Sequence, residues 1–210
     1  MTHTEILNFR HACKIFDENK KISDEDFRAI LEAGILAPSS TGLEQWDFLV
    51  IQNDEMKQKI CNLCWKQPQI TTSARLVVIM AKISELKNGS EYIAKMISRR
   101  EDKSAEEREA RVKFYDEFLN ANFKNDDELL FGWSHAQCMF AAMAMMNEAA
   151  SRGIDSCAIE GIDDRAELTR VLGYEPNDRR VALVLPFGYR VNPQPKKLRR
   201  AFDDVVKVIK

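Results

Sequence analysis

The chain has 210 residues, 45% hydrophobic and 30% charged, enough for one sizeable domain with its own core. Its 31 lysines and arginines nearly balance 33 aspartates and glutamates, leaving a formal charge of −2, so the basic excess that nucleic-acid binding needs is missing. The most apolar stretch, Ala136 to Ala150, is interrupted by Gln137, Asn147 and Glu148 and is shorter than the ~20 apolar residues of a membrane span.

Met1 to Glu5 lacks the basic start and apolar core of a signal peptide. Five cysteines at irregular spacing do not make a disulfide framework. A cytoplasmic protein with no membrane and no nucleic-acid partner is the expectation.

Taken in order, Thr4 can cap a first helix running to about His11. Ser23 opens a second helix that sets Phe27, Ile30, Leu31 and Ile35 on one stripe and stops at Pro38. Phe48–Ile51 reads as a strand, and Glu55 to Trp65 as a helix with Ile60, Leu63 and Cys64 inward. Leu76–Ala81 is a continuous apolar run, as expected of a strand covered on both faces. Ser84 to Asn125 is charged and helical in pattern, with Ser104 as a cap. Trp133 to Ala150 is apolar on nearly all sides, the pattern of a buried helix, and Gly153 is placed to end it. Ser156–Ile159 and Val181–Leu185 are further strands, separated by a helix that Asp164 caps; Val205 to Ile209 has strand character. Without regular βαβ alternation, the order fits an α+β sheet under a large helical layer.

Several polar segments could carry chemistry. Arg10, His11 and Lys14 suit an anion; on the helix expected there, Arg10 and Lys14 lie one turn apart, and the bland alternative is a solvated basic helix end. Lys196, Lys197, Arg199 and Arg200 read alone as a basic surface tail. Pro38-Ser39-Ser40 offers hydroxyls or a plain turn. Cys61 and Cys64 match C-x-x-C but lack two further ligands at zinc spacing, so they read as a helix's buried face. Gly161 after a strand lets backbone approach a flat ligand closely. No nucleophile elbow, P-loop, G-x-G-x-x-G or carboxylate pair is present.

In order and spacing these segments resemble the FMN-dependent nitroreductase family over nearly the full chain. The resemblance rests on Arg10-His11-Ala12-Cys13-Lys14-Ile15-Phe16-Asp17, on Ala37-Pro38-Ser39-Ser40-Thr41 before Trp46-Asp47-Phe48, on Gln67-Pro68-Gln69-Ile70, on Ile159-Glu160-Gly161, and on Gly188 with Lys197 and Arg199. It implies one domain over residues 1–210: a central, mostly antiparallel sheet of four to five strands packed by helices, with a C-terminal tail exchanged between subunits of a homodimer.

The resemblance further implies FMN as cofactor and NAD(P)H as electron donor. A hydride would pass through flavin N5, in ping-pong order, to a nitroaromatic or quinone acceptor, without an obligatory catalytic side chain and without a metal. Arg10, His11, Lys197 and Arg199 would hold the phosphate and ribityl chain. Lys14 would lie at the pyrimidine edge and the backbone of Glu160 and Gly161 near N5 and O4. Ser39 and Ser40 would come from the other subunit, Pro38 and Gly42 beside them would also contact the cofactor, and Lys66 and Gln69 would border the ring. Ala12 stands where the family commonly has Ser, Gly42 where it often has Asn, and Lys66 where Asn is expected. Thr41, Phe114 and Tyr115 would face the substrate, the two rings as an aromatic wall. The same residues also suit a flavin carrier or sensor with little turnover, or a related flavin enzyme acting on another substrate.

Overall fold

The computed structural model describes residues 1–209; Lys210, the last residue of the expected domain, lies outside them. Four strands form one antiparallel sheet in the order β1 (Trp46–Ile51), β2 (Arg75–Lys82), β4 (Arg179–Gly188), β3 (Asp155–Ser156). β2 explains its own unbroken apolar sequence. Val77, Ile79 and Ala81 enter one core and Leu76, Val78 and Met80 the other, so neither face is left for polar residues. Val181 to Leu185 of β4 are likewise buried. Each fully buried Val, Leu or Ile here stabilises by about 1.5–3 kcal/mol.

On the first face pack α2 (Asp24–Ile35) and α6 (Asp127–Ser151), with Ile30, Cys138, Ala142 and Met145 against the sheet. α6, at 25 residues, is long and apolar enough to cross a membrane, yet it is a core helix packed on α2, β2, β3 and β4. On the second face α3 (Asp54–Leu63) and α7 (Arg165–Val171) contribute Ile60, Cys61 and Leu168, and Cys64 joins them just after α3. Cys61 and Cys64 are both buried, as expected, but α3 ends at Leu63, so Cys64 sits at its cap and not on the helix face. A separate corner holds α4 (Glu91–Ser98) and α5 (Ala105–Phe123) around Ile93, Ile97, Tyr115 and Leu119.

Three expectations need correction. The first helix, α1, spans His3–Phe9, and its cap is Thr2, whose hydroxyl accepts from the Glu5 N–H while the Glu5 carboxylate accepts from the Thr2 N–H. Arg10 is already extended (φ −61°, ψ 125°), so Arg10 and Lys14 are not helical neighbours. β4 is longer than the expected Val181–Leu185, starting at Arg179 and running through Pro186 to Gly188. In the tail, Phe202–Val205 is a short helix, α8, and residues 205–209 form no strand.

Candidate functional site

The residues after α1 form an edge segment instead of a helix. Ala12 bridges in parallel to Ser156, Cys13 N–H donates to the Ser156 carbonyl (3.1 Å), and Asp17 N–H to that of Tyr189 (2.8 Å). Gly188 makes this approach possible: a Cβ there would stand 2.7–2.9 Å from atoms of the Phe16 side chain. Arg10, His11 and Lys14 are therefore held beside β3 and the end of β4.

The C-terminal segment folds back onto them. The Lys197 ammonium donates to the carbonyls of Leu7 and Arg10, 190 and 187 residues away in sequence. Arg10, His11, Ala12, Lys197 and Arg199 thereby line one open cleft of about 370 Å³. Its charges are not neutralised by carboxylates within it. Burial, then Arg10 and Arg199, pull the Lys197 ammonium below the usual lysine range. The Arg10 Nε is buried with no hydrogen-bond partner, a donor left open toward an acceptor.

His11 is set by a buried ion pair that the sequence reading missed. Asp155 accepts from Arg190 at Nε (2.9 Å to Oδ1) and from the Arg190 backbone N–H (2.9 Å to Oδ2), and the Arg190 Nη2 is 2.6 Å from Oδ1. The His11 Nδ1 lies 3.6 Å from the same carboxylate and 3.4 Å from the Phe9 carbonyl. Burial, followed by Arg190, holds the His11 imidazole below its ordinary pKa, and Asp155 only partly offsets this. An aspartate at the start of a two-residue strand gives no pattern that would have announced it.

A smaller cleft of about 210 Å³ adjoins the first through His11, Ala12 and Pro195 and is lined by Lys14. Beyond it runs a polar chain. The Lys14 Nζ is 3.9 Å from the Cys157 Sγ, which also receives the Gln69 Nε2 (3.7 Å). Gln69 donates to Gln67 (2.8 Å), and Gln67 donates to the Gly161 carbonyl (3.4 Å). Cys157 is thus the buried centre joining three segments expected at the site. Burial raises its thiol pKa, with Lys14 acting in the opposite direction.

Trp65, another residue absent from the expected set, covers the Gly161 position. Its indole is 67% exposed, yet it sits where a Gly161 Cβ would fall, 2.5–2.9 Å from the ring atoms. Trp65 and Lys66 both adopt left-handed backbone conformations (φ 54° and 52°), a pairing uncommon outside glycine. Lys66 is exposed, whereas Gln69 is buried. The Glu160 side chain turns toward His135 Nε2 (3.4 Å).

The loop of Pro38, Ser39, Ser40, Thr41 and Gly42 lines neither basic cleft in its own chain. Ser39 Oγ accepts from the Glu44 N–H (2.9 Å), and Ser40 N–H donates to Gln137 (2.9 Å). Thr41 and Gly42 have φ of 61° and 69° and face a recess shared with Met96, Arg99 and Arg100. The expected aromatic wall is corrected in one member. Phe114 is 60% exposed, but Tyr115 is 3% exposed, packed between α4 and α5 with its hydroxyl accepting from Arg111 Nε (3.2 Å). Its ring is spent on the helix corner and presents no face to a substrate.

The family model described as the nitroreductase family matches residues 7–189. YfkO of Bacillus subtilis, provisionally named an NAD(P)H nitroreductase, is 38% identical, with 97% of each chain covered. A Haemophilus influenzae protein of the same provisional name is 36% identical, covering 97% of this chain and 94% of its own. Among solved structures, the provisionally named nitroreductase ydfN of Bacillus subtilis superposes with TM-score 0.86 at 19% identity, covering 98% of both chains. One from Exiguobacterium sibiricum, solved in complex with FMN, gives 0.84 at 23% identity, covering 99% of this chain and 97% of its own.

Proposed function

This chain belongs to the nitroreductase family, and we propose from that premise that it is an NAD(P)H-dependent FMN oxidoreductase of nitroaromatic or quinone-type acceptors. One observation carries the reading: Arg10, His11, Lys197 and Arg199, from opposite ends of the sequence, line a single cleft. A phosphate monoester fits that donor set. It is an anion with several acceptor oxygens, and the buried Arg10 Nε is a donor lacking one.

Arg10, Lys197 and Arg199 would hold the phosphate, with His11 beside them on the Asp155 carboxylate. Lys14, placed by Cys157, would put a positive charge against the ring edge, where it favours an electron-rich cofactor. Gln67 and Gln69 fix the Gly161 backbone and Cys157, and Trp65 screens that backbone from water. Bound FMN supplies two-electron transfer between a nicotinamide and an acceptor, so no acid–base pair is demanded of the protein.

The domain spanning 1–210 would act as a homodimer in a reducing compartment such as the cytoplasm. Ser39, Ser40 and Gly42 stand apart from the basic clefts of their own chain, and a second copy could deliver them there. Leu129 and Phe140 on α6, with Leu198, Phe202, Val208 and Ile209 in the tail, are exposed apolar residues that such a partner would cover. All five cysteines are buried thiols.

The test is the absorption spectrum of the purified protein followed by anaerobic NAD(P)H titration. A flavin spectrum bleached by NAD(P)H and restored by a nitroaromatic or quinone is expected. A colourless protein that oxidises no NAD(P)H with added FMN would sink the proposal, and tight flavin with negligible turnover would make it a carrier. Light scattering should show a dimer that deletion of residues 201–210 weakens.

A further inference from the structure

The α4–α5 corner holds a second basic groove, separate from Arg10 and Lys197, of about 660 Å³. Arg100, Lys103, Arg108 and Arg111 line it with the exposed Phe114 ring, and Glu107 is its one carboxylate. That carboxylate is engaged: it accepts from the Ser104 N–H (2.8 Å) as the cap of α5 and lies 3.9 Å from Lys103. Arg100, Arg108 and Arg111 pair with no carboxylate among the described residues.

Two of these guanidiniums are instead positioned by neutral groups. Arg108 donates to the carbonyls of Arg100 (3.3 Å) and Lys103 (3.0 Å). Arg111 donates to the Tyr115 hydroxyl and lies over that ring at 5.4 Å. In a chain of net charge −2, these two guanidiniums, with Arg100 beside them and no counter-ion on any of the three, concentrate positive charge at one spot. Guanidinium forks bind phosphate bidentately, and guanidinium planes with an exposed phenyl ring can take a purine face.

Through Arg100 the groove continues into the recess under Thr41 to Glu44, whose wall Arg99 ties by bonds to Gly42 O (3.3 Å) and Glu44 (2.8 Å). We propose that this groove binds the 2′-phosphoadenosine end of NADPH and so selects NADPH over NADH as electron donor. The inference rests on the NAD(P)H-dependent reading above, in which the Ser39–Gly42 loop borders a flavin and the dinucleotide's other end would point there. Sites that favour NADH offer a carboxylate to the free ribose hydroxyl, whereas arginine accommodates a 2′-phosphate. Here the arginines are available and the carboxylate is occupied.

The experiment is calorimetric titration of the FMN-loaded protein with adenosine 2′,5′-bisphosphate, 5′-ADP and inorganic phosphate, alongside KM for NADPH and NADH. Variants are Arg111→Gln, Arg100→Gln and Arg111→Lys. The bisphosphate should bind at least about tenfold tighter than 5′-ADP, the worth of one charge-assisted contact. Each Gln variant should lose most of that preference and raise the NADPH-to-NADH KM ratio about tenfold, with partial recovery in Arg111→Lys. Equal binding of bisphosphate and 5′-ADP, binding of inorganic phosphate as tightly as the bisphosphate, or a KM ratio indifferent to the variants would overturn the proposal. If NAD(P)H is oxidised with FMN but the bisphosphate shows no preference, the groove assignment fails and the oxidoreductase reading stands. Arginine-dependent bisphosphate selectivity in a protein with no FMN-dependent oxidation would leave the groove and remove the oxidoreductase.

Discussion

Replacing Asp155 by alanine should unfold the protein at markedly lower denaturant, because the side chain closes a buried ion pair and satisfies a backbone donor together. Its side chain is 3% exposed and that of Arg190 is 23% exposed. Removing the carboxylate strands the Arg190 guanidinium and its N–H. Breaking a buried pair from one side costs about 3–5 kcal/mol, and the partial exposure of Arg190, which admits water to the orphaned charge, puts the value near ~3 kcal/mol. For a chain of this size that lowers Tm by about 6–12 °C. Urea unfolding followed by far-ultraviolet circular dichroism, on Asp155→Ala, Arg190→Met and the double variant, gives the coupling energy directly. It should be run without added flavin and at fixed excess FMN, since a ligand bound only by the folded state adds its own stabilisation. A single-variant loss under about 0.5 kcal/mol, or a coupling near zero, would refute the assignment.

Lys197→Ala removes the ammonium that ties the C-terminal segment to Leu7 and Arg10, and FMN Kd should rise about 10–150-fold by flavin fluorescence titration; an unchanged Kd would remove Lys197 from the phosphate site. Gly161→Ala sets a methyl group against the exposed Trp65 indole, which must swing aside; the stability cost should stay under about 1 kcal/mol while that tryptophan becomes more open to acrylamide quenching; unchanged quenching would count against the contact. His11 and His135 both have pKa values below the ordinary histidine range, chiefly through burial. The unfolded chain therefore binds more protons just below about pH 6.5, so their stability is present above that pH and lost as pH falls toward the folded-state values. Urea midpoints between pH 7.5 and 5.5 should fall, less so in His11→Gln, and a flat profile would contradict the burial argument.

The parts of the fold visible in the sequence are those whose partners are local or whose environment is uniform. Leu76 to Ala81 announces β2 because both its faces are covered, and Ser104 with Glu107 announces α5 because both halves of the cap lie within one turn. Thr2 with Glu5 has the same form, but a competing threonine two residues on drew the boundary forward. The helical reading of Arg10 to Lys14 failed for a different reason. The segment is extended because Ser156 accepts from Cys13 and Tyr189 from Asp17 just beyond it, and no periodicity within the segment encodes a bond to a residue more than 140 positions away. Cys157, Trp65 and the Asp155–Arg190 pair were hidden likewise, since each has its role only against a distant segment. Val205 to Ile209 has the composition of a strand, but a strand forms only where it meets an edge, and residues 206–209 pair with none in their own chain, although the outer edge of β1 is open.

The contact of Lys197 with Leu7 also has a consequence for the timing of synthesis. Roughly 185 residues separate Lys14 from Arg199, and at about 5–20 residues per second the first arm of the cleft waits on the order of 10–40 s for the second. Tyr189 and Arg190, just past β4, against which Phe16 and Asp17 settle, are themselves made late. The anion cleft is therefore among the last parts of the molecule to be completed. The same closure in reverse would open the cleft by fraying both ends together, with the sheet intact, so amide exchange should be faster at residues 10–14 than in β2.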